Sequence, residues 1–242
     1  MYPKGIIYNI YDPRRSGLHG EVNLHAPFGL RLLYTCLKGL GAGLIGFVVI
    51  LLLFSFGPLA LDEINYVTGR NKIDFEESQL MKVNANNTSL IQEEAEGYGV
   101  NSYFSIIIPK IGAKANIIPN VNAEDENEYT NALEKGVAHA KGTYFPGQGK
   151  QIFLFAHSTN SPFNVERYNA VFYLLDKMTV GDRIVIYFSD KRYVYKVTNV
   201  MVVGPRDTGF FDTKANEETL ILQTCYPPGT SWNRLLVFAK PE

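Results

Sequence analysis

Cysteine is scarce: two in 242 residues, a number that excludes a scaffold built on disulfides. Charge is also thin, at 19% of residues with a formal net of −1. No basic excess marks an electrostatic footprint for nucleic acid, and no nucleic-acid partner is expected. Histidine occurs four times and tryptophan once, so a zinc site of clustered His and Cys has few ligands to draw on. What the chain does have is apolar residues, 46% of the total with 13% aromatic, too many for a disordered chain. The length suits one or two domains able to bury a core of their own.

The apolar residues are unevenly spread. From Gly39 to Leu61, 23 consecutive residues contain no Asp, Glu, Lys, Arg or His. Roughly 20 apolar residues in a helix cover the ~30 Å hydrocarbon core of a bilayer, and Gly and Pro58 are tolerated there. A cleaved leader has a shorter apolar core closer to the start, whereas 38 residues precede this one. The segment 39–61 is therefore read as an uncleaved transmembrane helix. Residues 1–38 carry Lys4, Arg14, Arg15, Arg31 and Lys38 against Asp12 and Glu21, a net of +3; the remainder after the span is −4, beginning with Asp62 and Glu63. The excess of Lys and Arg on the first side predicts a cytoplasmic N-terminus and an extracellular 62–242.

This topology separates the two cysteines. Cys36 falls at the inner edge of the span, which leaves Cys225 as the single exterior cysteine. Such a residue is either a reactive thiol or a small buried hydrophobe.

The exterior part has two textures. Residues 62–103 are polar and acidic, with Glu76, Glu77, Glu93, Glu94 and Glu96, and read as a stalk with some helix. Asn86-Asn-Thr88 has the pattern of a glycosylation acceptor. From Phe104 short β-type runs alternate with Gly, Pro and Asn. Strands are predicted at 104–108, 115–118, 136–140, 151–157, 183–188, 192–203, 219–224 and 234–239, and helices at 128–135 and 168–177. Eight short strands predict a mainly β barrel or sandwich over 104–242.

Only His139 and His157 among the histidines lie beyond the span. His157 closes the apolar run Ile152-Phe-Leu-Phe-Ala156 and opens a polar loop. Cys225 likewise ends Leu220-Ile-Leu-Gln-Thr-Cys225 before Tyr226-Pro-Pro-Gly229, and Arg234 opens the last strand nine residues later. Strand ends meeting at one rim make a loop-lined site.

The stretch from Leu222 to Val237, containing Thr224-Cys-Tyr-Pro227 and Arg234-Leu-Leu-Val237, resembles the signature of sortases, the cell-surface cysteine transpeptidases of bacteria. Gly136-Val-Ala-His-Ala-Lys-Gly-Thr143, Phe155-Ala-His-Ser158 and Leu175-Asp-Lys-Met-Thr-Val-Gly-Asp182 are similar to other sortase segments, in the same order. The resemblance covers about residues 104–240. Its Cys-to-Arg spacing is most like the pilin-polymerising class C members. Ala156 stands where many sortases have Gly before the catalytic histidine, and a small residue still fits.

The resemblance implies an eight-stranded sortase-type β-barrel with Cys225 as nucleophile, His157 as acid/base, Arg234 as the cationic third member and Thr224 in support. It implies cleavage of an LPXTG-like sorting signal of a surface protein through a thioester, then transfer to an amine of a peptidoglycan precursor or a pilin. The arginine keeps its charge at neutral pH and can steady an oxyanion. His139 falls on an earlier, non-catalytic family stretch. A site that mainly hydrolyses the signal, or a silent binding module with an unreactive Cys225, are the alternatives. Some relatives bind calcium just before the histidine strand, but Lys141 to Lys150 holds no carboxylate, so no metal and no cofactor are expected.

Overall fold

The computed structural model describes residues 28–70, 72–73, 88–158, 170–210 and 217–242. Most of the predicted cytoplasmic segment, Asn86 and Asn87 of the acceptor pattern and residues 159–169 after His157 lie outside them. By internal packing the chain divides into two units, Met1–Phe54 and Ser55–Glu242.

Helix α1 runs from Phe28 to Val67. Within it Leu32–Gly57 is long and apolar enough to cross a membrane, and its side chains are not buried by protein. It is the one such helix among the described residues. The window overlaps the charge-free run 39–61 and begins earlier, because Arg31 and Lys38 bracket further apolar residues.

Eight strands close into a barrel: β1 (Phe104–Ile108), β2 (Ala113–Val121), β3 (Val137–Ala140), β4 (Gln151–Phe155), β5 (Arg183–Phe188), β6 (Lys191–Val203), β7 (Thr219–Tyr226) and β8 (Asn233–Pro241). The order around the ring is β1-β2-β3-β4-β7-β8-β6-β5. Neighbours are antiparallel except β2 with β3 and β4 with β7. Alternation in each strand sends one set of side chains inward. Ile106, Ile108, Ile152, Leu154, Ile184, Ile186, Leu220, Leu222, Leu235 and Val237 fill the interior.

The parallel β2–β3 step needs a crossover, supplied by helix α3 (Glu126–Lys135). Asp125 caps its start, accepting from the N–H groups of Asn127 and Glu128 at 3.0 and 3.2 Å. Gly136 ends it where a Cβ would collide with the Asn116 carbonyl.

Helix α2 (Thr88–Gly97) comes from the segment read as stalk, and it packs on the barrel's outer face. Ile91 and Ala95, four residues apart and so on one side of the helix, are fully buried with Val100 against Ile107, Val185 and Tyr187. Around this seam Glu94 accepts from the Tyr187 hydroxyl at 2.9 Å and pairs with Arg192 at 2.9 Å. The short polar sequence hides this helix, because two buried residues in ten make little periodic pattern.

The helix predicted at 168–177 is not formed in its described part. Ala170–Leu174 turns and Leu175–Lys177 is a single 3-10 turn. Phe172, Leu174, Leu175 and Met178 are all buried, a spacing that plugs one end of the barrel rather than presenting one helical stripe.

Candidate functional site

Two sheet faces meet different surroundings, and the candidate residues belong to the outer one. On β7, Leu220, Leu222 and Thr224 alternate with Ile221, Gln223 and Cys225. The first set joins the interior; Ile221 joins a second apolar layer on the outside with Phe153, Val203 and Leu236. Phe210 stacks on Phe153 from the β6–β7 loop, with ring centroids 5.9 Å apart.

Register fixes the relation between Cys225 and Arg234. In the antiparallel β7–β8 ladder they are direct partners, so their side chains emerge side by side on one face. On the other flank, parallel β4 pairs Phe155 with Gln223. The ladder continues one step, with the Ala156 N–H donating to the Gln223 carbonyl at 3.2 Å. Extended two residues past the end of β4, the same register would set His157 level with Cys225. Cys225 and Arg234 thus sit on neighbouring strands, about 4.8 Å apart, and on the extended register His157 completes a row with cysteine in the middle.

Each member is held locally. The Arg234 guanidinium donates through Nη1 to the carbonyls of Ser231 and Asn233, at 3.2 and 3.1 Å. Those carbonyls belong to the β7–β8 turn, which is closed by Thr230 donating from both N–H and hydroxyl to the Pro227 carbonyl. Cys225 is half-buried and free. Burial holds the His157 imidazole below its ordinary pKa. Thr224, buried beneath Cys225, donates its hydroxyl to the Ala156 carbonyl at 2.9 Å. That bond ties the residue before the cysteine to the residue before the histidine.

A family model described as the sortase domain matches residues 106–242, more than half of the chain and all eight strands but the first two residues of β1. The chain belongs to the sortase family. It is 30% identical over 136 residues to Sortase D of Bacillus subtilis (strain 168), a match covering 55% of this chain and 60% of that protein. Among solved structures it is similar to a lid mutant of Sortase A from Corynebacterium diphtheriae, at 27% identity over 58% of this chain and 70% of that one, with a TM-score of 0.49. Sortase C1 of Streptococcus agalactiae is similar at 25% identity over 69% of this chain and 91% of that one, with a TM-score of 0.48.

In this sortase His139 sits apart from the row. It is fully buried on β3, where Nδ1 accepts from the Asn120 N–H at 3.2 Å and Nε2 faces the Tyr144 carbonyl at 3.0 Å. That pattern selects the neutral ring protonated on Nε2. Phe145 stacks on it at 4.5 Å. Burial pushes its pKa down, with the Tyr144 hydrogen bond opposing.

Sequence reasoning missed Glu218, just before β7. It accepts from the N–H groups of Gly147 and Gly149 at 3.0 and 2.9 Å and from the Tyr195 hydroxyl at 2.6 Å. The β3–β4 loop is thereby moored to the base of the cysteine strand. One of two adjacent Glu residues in Asn216-Glu-Glu-Thr219 has no pattern to mark it. Among the described residues no group of three or more His, Cys, Asp or Glu is placed to hold a metal ion.

Proposed function

We propose that this chain is a membrane-anchored transpeptidase, with Cys225 as nucleophile, His157 as acid/base and Arg234 as oxyanion and substrate clamp. The observation that supports the reading is the direct pairing of Cys225 with Arg234 on β7 and β8, with His157 just past the end of the flanking β4, together with Thr224-Cys-Tyr-Pro227 at the family's own signature. The Cys225 thiolate attacks a backbone carbonyl of an LPXTG-like sorting signal on a surface protein. The peptide C–N bond breaks, His157 supplies the proton that leaves with the amine, and a thioester remains on Sγ. Arg234 stays cationic throughout and offsets the negative charge on the carbonyl oxygen. An incoming amine, from a peptidoglycan precursor or a pilin, gives its proton to His157 and displaces the thiol.

The organisation proposed with it is a cytoplasmic 1–38, a membrane span 39–61, an extracellular linker 62–103 whose α2 lies against the barrel, and a catalytic barrel 104–242. The segment inside carries the positive excess and the exterior is acidic.

The test is intact-mass analysis of the full chain in detergent with a library of sorting-signal peptides and an amine donor. The expected result is an acyl adduct on Cys225 and an amine-linked product, both absent in Cys225→Ala. Arg234→Ala should lower kcat/KM by about a hundredfold, the scale of losing one preorganised oxyanion donor. An adduct that yields only hydrolysed product in saturating amine points to an endopeptidase. A folded chain that never forms an adduct would be the silent binding module.

A further inference from the structure

The end of α1 grips the barrel at a place that leads to His157. Lys177 Nζ lies 2.9 Å from Glu63 Oε1 and 5.9 Å from the centre of the Tyr66 ring. Tyr66 itself packs against the barrel core. Six residues beyond the end of α1 the Ile73 N–H donates to the Pro109 carbonyl at 3.1 Å, so the chain leaving the helix is tied down too. Lys177 closes the 3-10 turn Leu175–Lys177, whose Leu175 is fully buried beside Phe172. The Phe172 N–H then donates to the His157 carbonyl at 3.3 Å.

His157 is thereby tethered from two directions. On one side Thr224 holds the preceding carbonyl from within the barrel. On the other, Phe172 holds the histidine's own carbonyl, from a turn gripped by Glu63 and Tyr66. The second tether depends on an element the barrel strands do not supply. The charges around the grip are Asp176, 3.8 Å from Lys177, and Asp62 beside Tyr173, so reversing Lys177 would set it among carboxylates.

We propose that Lys177, gripped by Glu63 and Tyr66, is a positioning residue through which the end of α1 sets the placement of His157 beside Cys225. The proposal rests on the transpeptidase reading for its rate consequence, though not for its structural one.

The test uses the full chain in nanodiscs, with Lys177→Glu, Glu63→Lys and the double exchange. Each single variant should lower kcat for amine transfer about three- to fivefold, the upper end for a partly exposed pair, and leave KM within about twofold of the parent. The double exchange should restore kcat. A second readout needs no turnover: the His157 ring resonance in carbon-13 histidine-labelled protein, assigned by its loss in His157→Gln. It should move in each single variant and return in the double.

Parent-like kcat with an unmoved resonance overturns the proposal. So does a fall in kcat without a resonance shift, since the loss then bypasses His157, and so does a double exchange that restores neither. Should Lys177→Glu lower the melting midpoint, Lys177→Gln removes the charge without adding repulsion and should move both readouts less, in the same direction. A parent chain without turnover would sink the transpeptidase reading alone; the resonance would still decide the positioning role.

Discussion

Thr224 carries a hydroxyl where an interior strand position ordinarily takes a methyl, and its one bond crosses from β7 to β4. Thr224→Val keeps the shape and strands the Ala156 carbonyl, so it should cost ~1–3 kcal/mol in a urea melt, the price of an unmade buried hydrogen bond. Burial pushes the pKa of both His139 and His157 down. A histidine with a lowered folded-state pKa contributes stability that is complete above its unfolded value of about 6.5 and is lost as pH falls toward the folded value. Melting midpoints should therefore drop as the pH falls below about 6.5, and His139→Gln should flatten that slope while lowering the midpoint at neutral pH. At this scale much was legible. Thr224, Cys225 and Arg234 could be picked out because strand-breaking Pro227 and Pro228 flank them in a family pattern. Glu218 could not, because two of its three partners are backbone N–H groups 69 and 71 residues away, and backbone groups leave no mark in a sequence.

At the scale of elements, β1 and β5 fall on their predicted bounds, 104–108 and 183–188, since unbroken β-branched runs stop at Pro109 and at Ser189-Asp190. β2 extends beyond its prediction at both ends because edge positions pair without being apolar. α2 was the least legible, and a buried ion pair joins Ile91 and Ala95 in anchoring it. The side chains of Arg192 and Glu94 are 9% and 5% exposed. Removing one partner leaves the other charge buried, so Glu94→Ala should cost ~3–5 kcal/mol in a denaturant melt. Amides of Ile91 to Val100 should lose hydrogen-exchange protection before those of β7. A loss spread evenly over the barrel would show instead that α2 and the strands open together.

For the whole molecule, the expected arrangement makes a topological prediction. Protease added outside sealed right-side-out cells should reach the barrel and spare an epitope at the N-terminus; the reverse pattern would contradict the reading of Lys and Arg. The closed ring has a further consequence for whatever peptide this protein receives. The strand that carries Cys225, β7, already has β4 on one side and β8 on the other, so a guest chain cannot be recognised there by joining the sheet as an extra strand. Recognition falls to side-chain fit and loop contacts, and register along the guest must be read from its side chains. Methylating guest amides away from the bond that is cut should then be tolerated, whereas exchanging its side chains should not.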